Sequence, residues 1–222
     1  VYGEDIDEQL FDKIGNAFAQ YVKRDILVAR DCRASGEALL NSFMSGALCA
    51  EKTVMNIGCV PLPVAVHWAV SQNFELAYIT ASHLTKEWNG VKFFHPSGAG
   101  FMEEENFAIR DLVANGSYFH GLRAVPVREE IEDVLNLYVN SVAPKASAES
   151  KLKILIDCGN GTAGIIVKRL FEKAGFRTDL IFEKPDGSFP NRMSDPVEDE
   201  LIELKSKVKN YDFGIAYDGD AD

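Results

Sequence analysis

Residues 153–164 read Lys153-Ile-Leu-Ile-Asp-Cys-Gly-Asn-Gly-Thr-Ala-Gly164, and this stretch decides the fold class. Lys153 to Asp157, with Ile154, Leu155 and Ile156 at its centre, reads as a strand. The glycines after it permit a sharp turn, and Thr162 to Ala174 has the spacing of a helix stopped by Gly175. A strand that feeds a helix through glycines is the repeating unit of an α/β sheet. Downstream, Thr178 to Phe182 reads as a strand, Pro185 to Pro190 as a turn, Glu198 to Lys209 as a helix and Tyr211 to Tyr217 as a last strand. Upstream, Ala143 to Ser150 is a polar connector, preceded by helical patterns at Glu103 to Ala114 and Glu129 to Val142.

The same alternation fills the first half. Ile6, Leu10, Ile14 and Phe18 recur every four residues, which predicts an amphipathic helix over Asp5 to Lys23. Strands follow at Ile26 to Ala29, Thr53 to Val60, Leu76 to Thr80 and Val91 to Phe94. Between them lie a helix through Leu39 to Leu48, with Ser35 placed to cap it, and another that starts at Pro61-Leu-Pro63.

Composition agrees with a globular α/β protein. The 222 residues are 46% hydrophobic, which excludes a disordered or collagen-like chain. The net charge of −11, with no run of Lys or Arg, argues against nucleic acid and anionic membrane as partners. No stretch approaches the ~18 apolar residues of a membrane helix. Cys32, Cys49, Cys59 and Cys158 form no CxxC pair and read as buried free thiols in a reducing cytoplasm. The chain does not begin with Met and ends directly after a strand-like run, so it reads as cut at one or both ends.

Three constellations carry chemistry. Gly159 to Gly164 fits G-x-G-x-x-G, and Glu183 stands 19 residues beyond Gly164, near where a dinucleotide fold places its ribose-binding acid. NAD binding and a plain tight turn both fit that pattern. Asp218-Gly-Asp-Ala-Asp222 sets carboxylates at every second residue at a strand's carboxyl end, which suits a hard cation such as Mg²⁺. A solvated acidic turn is the alternative, whereas the strand in front argues against an EF-hand. Finally, Thr80-Ala-Ser-His83 with Asn89-Gly-Val-Lys92 puts Ser82, His83 and Lys92 in one loop unit. Those are parts for nucleophilic or phosphoryl chemistry, although Ser82 reads equally well as a turn residue.

Taken in order, the segments resemble the α-D-phosphohexomutase family. Thr80 to Thr85 with Asn89 to Lys92 is similar to the family's T-A-S-H-N-P and N-G-x-K loop, and Asp218 to Asp222 to its D-G-D-x-D-R metal loop. Val28-Ala-Arg-Asp-Cys-Arg33, Asp157 to Gly164 and Pro185-Asp-Gly-Ser-Phe-Pro-Asn191 are supporting matches. The resemblance implies two layered α/β/α domains with mixed sheets, at residues 1–125 and 126–222, the first two of four. It implies interconversion of hexose 1-phosphate and hexose 6-phosphate, of mannose or glucose, through a bisphosphorylated sugar. Ser82 would be the phosphoserine, and Mg²⁺ would be held by Asp218, Asp220, Asp222 and Ser82. Lys92 would serve proton transfer or charge stabilisation, and His83 positioning or acid/base work. Arg30 and Arg33 would orient the loop, or Arg would simply pair with Asp31.

Leu84 and Thr85 depart from the family's Asn-Pro and put the loop geometry in question. A chain of this extent is expected to hold Mg²⁺ weakly, to carry phosphate on Ser82 and to lack normal turnover, with self-association through an exposed domain face. The rival readings are a dinucleotide-binding module at Gly159 to Gly164 and an inert structural fragment.

Overall fold

The apolar runs assemble into two sheets in a computed structural model, which describes residues 1–50, 52–121, 126–128, 131–143 and 152–222. The first sheet contains β1 (Ile26–Arg30), β2 (Val54–Cys59), β3 (Glu75–Ile79), β4 (Val91–Phe94) and β5 (Val127–Arg128) in the order β4-β3-β1-β2-β5. Its pairs are parallel except for β3 with β4. The second sheet holds β6 (Lys153–Asp157), β7 (Arg177–Ile181) and β8 (Phe213–Ala216), parallel in the order β7-β6-β8. The expected division after residue 125 falls at 122–125, outside the described residues. Beyond it, β5 still pairs with β2 of the first sheet.

The central strands are apolar at consecutive positions because both faces of the sheet are covered. Ile26 and Val28 of β1, with Ala77 and Ile79 of β3, pack on Phe11 and Phe18 of α1 (Glu8–Tyr21) and on Phe43 of α2 (Gly36–Leu48). Leu27, Ala29, Leu76 and Tyr78 face the other way, onto α3 (Leu62–Gln72) and α5 (Ile131–Val142). That second cluster continues into Ile154 and Ile156 of β6, so one core joins the two sheets.

The first helix is capped by Asp7, whose Oδ1 accepts from the Leu10 N–H at 2.8 Å, and so it starts at Glu8 and not at Asp5. Its buried stripe is also shifted, to Phe11, Gly15 and Phe18, leaving Leu10 and Ile14 only half-buried. A spacing of four drifts around a helix of 3.6 residues per turn, and the close crossing with α2 selects the glycine face. A Cβ on Gly15 would run into the Phe43 carbonyl, and one on Gly46 into that of Asp12.

Two further expectations are corrected. The helix expected over Thr162 to Ala174 begins as a 3₁₀ turn at Thr162–Ile165, breaks at Ile166 (φ −134°) and resumes as α6 (Val167–Lys173). In that first turn Gly164 packs against the Glu183 backbone, leaving no room for a side chain there. Likewise, Glu198 to Lys209 splits into a short α7 (Ile202–Lys207) between two 3₁₀ turns. The expected helix at Glu103 to Ala114 is α4. Of the four cysteines, all free, only Cys158 is fully buried.

The strand order places the chemistry. β1 connects to β2 on one side, and the chain then crosses back to lay β3 on the other, which opens a crevice at the carboxyl ends of β1 and β3. The second sheet repeats the device, with β7 and β8 on opposite sides of β6. Asp31 and Ser82 follow the first pair of ends, and Asp157 and Asp218 stand at the second.

Gly46→Ala tests the helix crossing. It should lower unfolding free energy by about 3 kcal/mol, the upper range for forcing atoms into a packed site, with loss measured by urea denaturation. A change below about 0.5 kcal/mol would show that the crossing has slack.

Candidate active site

Ser82 sits three residues past the end of β3 with φ +51°, a left-handed conformation that costs a serine of order 1 kcal/mol or more. The loop holds it there. The Ser82 N–H donates to Thr80 Oγ1 at 2.8 Å, and the Ser82 carbonyl accepts from Arg33 Nη2 at 2.7 Å. Arg33 is 1% exposed, and its five N–H groups serve Asp31 Oδ2 and the carbonyls of Ser82, Leu84, Thr85 and Trp88. Both alternatives for Arg33 therefore hold at once: it pairs with Asp31 and it shapes the loop. Because it reads carbonyls, this grip does not depend on the side chains at 84 and 85. Arg30 does not take part; it turns to the Asp31 carbonyl and to Glu37.

Ser35 also differs from expectation. It is helical in conformation and makes no cap bond; its Oγ accepts instead from Asn89 Nδ2 at 2.9 Å, which ties the returning end of the loop to the start of α2.

The Ser82 hydroxyl points at acids. Its Oγ lies 3.0 Å from Asp218 Oδ2 and 3.2 Å from Asp220 Oδ1. Oxygens of Asp218, Asp220 and Asp222 lie within 4.8 Å of one another. Lys92, reaching in from β4, bridges Asp220 at 3.0 Å and Asp222 at 3.2 Å, and Thr80 Oγ1 lies between Asp31 and Asp220 at 2.7 and 3.1 Å. The structure thus brings Ser82, Lys92 and the three aspartates together. His83 is exposed and has no hydrogen-bond or ion-pair partner among the described residues.

Such crowding has an electrostatic consequence. Four acids (Asp31, Asp218, Asp220, Asp222) face two cations (Arg33, Lys92), leaving two negative charges uncompensated. Burial, then the neighbouring Asp220 carboxylate, pushes Asp218 up to about 7. For Lys92, burial pulls downward, but Asp220 and Asp222 outweigh it and the net shift is upward, so the ammonium is held charged. A hard divalent cation fits this donor set, which is all oxygen, partly buried and short of two positive charges.

The glycine turn is already filled. Gly159 (φ +53°) leaves the space taken by the Arg192 guanidinium, and Gly161 abuts the backbone of Asp218 and Gly219. The Thr162 N–H donates to the Gly219 carbonyl at 3.0 Å. A pyrophosphate at this turn would have to displace the chain's own acidic loop, which argues against a dinucleotide.

Arg192 was outside every motif, and it repeats the role of Arg33. It is 6% exposed, pairs with Asp157 at 3.0 Å and donates to the carbonyls of Met193 and Tyr217. Asp157 at the end of β6 is the available signal, because a buried acid at a strand end needs a cation.

The family described as phosphoglucomutase/phosphomannomutase, alpha/beta/alpha domain I, matches residues 1–119, and domain II of that family matches residues 132–222. The chain belongs to the phosphoglucomutase/phosphomannomutase family. Its curated relatives include a phosphoglucomutase/phosphomannomutase of Thermococcus kodakarensis, 32% identical over 100% of this chain and 52% of the relative. A probable phosphoglucosamine mutase of Methanocella arvoryzae is 30% identical over 100% and 50%. A solved phosphoglucomutase/phosphomannomutase family protein from Burkholderia thailandensis superposes with TM-score 0.86 at 28% identity, over 98% of this chain and 50% of that one. The chain spans about half the length of the curated relatives it matches.

In a family member with this charge deficit, millimolar Mg²⁺ should raise the melting temperature by several degrees, as any ligand that binds only the folded state does. Asp220→Asn should abolish the rise. An equal rise in both proteins would place the cation elsewhere.

Proposed function

We propose that this chain carries the phosphoserine and the metal loop of a hexose-phosphate mutase, which moves a phosphoryl group between the 1- and 6-oxygens of a hexose. The observation that carries the reading is the Ser82 hydroxyl aimed at Asp218 and Asp220 from a strained, clamped loop. A turn serine has no need of that arrangement. The family's names span glucose, mannose and glucosamine among the relatives, and the hexose phosphate is the class proposed here, with glucose and mannose as first candidates.

Phosphoserine at position 82 would give its phosphoryl group to a hydroxyl of the sugar monophosphate. The bond from phosphorus to Ser82 Oγ breaks as the bond to the sugar oxygen forms, and the proton of the sugar hydroxyl ends on the departing Ser82 Oγ, which becomes a free hydroxyl. The bisphosphorylated sugar turns around and returns its other phosphoryl group to Ser82. Mg²⁺ held by Asp218, Asp220, Asp222 and an oxygen at position 82 would offset charge on the transferring group. Lys92, kept protonated by Asp220 and Asp222, is suited to charge stabilisation more than to taking a proton. His83 stands exposed beside Ser82, free to meet the incoming sugar, which suits it to acid/base or positioning work.

Incubation with Mg²⁺ and glucose 1,6-bisphosphate, followed by intact mass and peptide mapping, tests the reading. One phosphoryl group, about 80 Da, should appear on Ser82 and be absent from Ser82→Ala. Failure of the wild-type chain to take phosphate at Ser82 would overturn it.

A further inference from the structure

We propose that Ser194 is a positioning residue that locks the nucleophile loop to the metal loop. A peptide carbonyl has two lone pairs, and the Ser82 carbonyl uses both. One accepts from Arg33 Nη2 in the first α/β unit; the other accepts from Ser194 Oγ in the second, at 2.9 Å. With the Ser82 N–H already bonded to Thr80, both peptide planes that flank the Ser82 Cα are fixed. Its side chain then leaves the backbone in one direction, toward Asp218 and Asp220.

Ser194 is itself held by the element that shapes the acidic loop. Arg192 donates to the carbonyls of Met193 at 2.8 Å and Ser194 at 3.4 Å, and through Nη2 to that of Tyr217, the residue before Asp218, at 2.6 Å. Ser194 is 2% exposed. Its Oγ occupies the place where a side chain at residue 219 would begin: a Cβ on Gly219 would lie 2.5 Å from Ser194 Oγ and 3.1 Å from the Ser82 carbonyl oxygen. Gly219 is therefore what admits the Ser194 hydroxyl between the two loops. The chain of contacts runs from the metal loop through Arg192 and Ser194 to the backbone of the nucleophile.

This inference rests on the phosphotransfer reading, and its test separates the two. In Ser194→Ala, transfer of phosphate from glucose 1,6-bisphosphate to Ser82 should slow about tenfold per folded molecule, while the concentration giving half-maximal rate stays within twofold. That split distinguishes misaligned reacting atoms from lost substrate binding. Mg²⁺ affinity, read by calorimetry, should fall at least threefold, and the Ser82 and Leu84 amides should exchange with solvent at least tenfold faster. A rate within twofold of wild type, or a loss that merely follows the unfolded fraction, would overturn the assignment. If Ser194→Ala gives no cooperative melt, Ser194→Cys, close in size and a weak donor, is read by the same criteria. If the wild-type chain accepts no phosphate, the phosphotransfer reading falls, and amide exchange alone decides the lock: unchanged exchange at Ser82 and Leu84 would refute it.

Discussion

Mutual repulsion among Asp218, Asp220 and Asp222 is the constraint on which the site depends. Carboxylate oxygens within 4.8 Å of one another do not stay together unaided. Lys92 offsets part of the charge, while burial and then the Asp220 carboxylate push Asp218 upward. Such a cluster is useful only if something rigid holds it open toward a partner. The partner in this fold is Ser82, offered from the loop beyond the carboxyl end of β3 in the other sheet.

The rigidity comes from two buried ion pairs used in the same way. Asp31 and Arg33 lie beyond the end of β1, and Asp157 and Arg192 grip the end of β6. Buried ion pairs are weak contributors to stability, because desolvation cancels much of the attraction. Here each arginine spends its remaining donors on carbonyls of a site loop: four around Ser82 in one case, and those of Met193, Ser194 and Tyr217 in the other. Their work is geometric. They convert loops, normally the most mobile part of a fold, into fixed supports for Ser82 and the three aspartates.

Much of this was legible in the amino-acid sequence. The strand cores Ile26 to Ala29 and Ile154 to Ile156 announce themselves because apolar residues at consecutive positions have one common use, a sheet covered on both faces. Ser82, Lys92 and the three aspartates were legible because their order matches a family pattern. What escaped was set by packing. The stripe of α1 moved to Gly15, where the neighbouring Phe43 carbonyl takes the space of a side chain, and the segment after the glycine turn, where Gly164 packs on the Glu183 backbone, starts as a 3₁₀ turn. Ser35 gave up its cap to Asn89. Arg192 and Ser194 bond mainly to backbone carbonyls, and a carbonyl leaves no signature in side-chain pattern.

The central claim is that the carboxyl ends of two sheets meet to form one cation site shared by Ser82 and the acidic loop. Anomalous diffraction from crystals soaked in Mn²⁺, a close stand-in for Mg²⁺ toward oxygen ligands, tests it most directly. One dominant peak should appear within coordinating distance of Asp218, Asp220 and Asp222 and beside the Ser82 side chain. A peak bound to the acidic loop but turned away from Ser82, or one elsewhere on the surface with none at the aspartates, would contradict it.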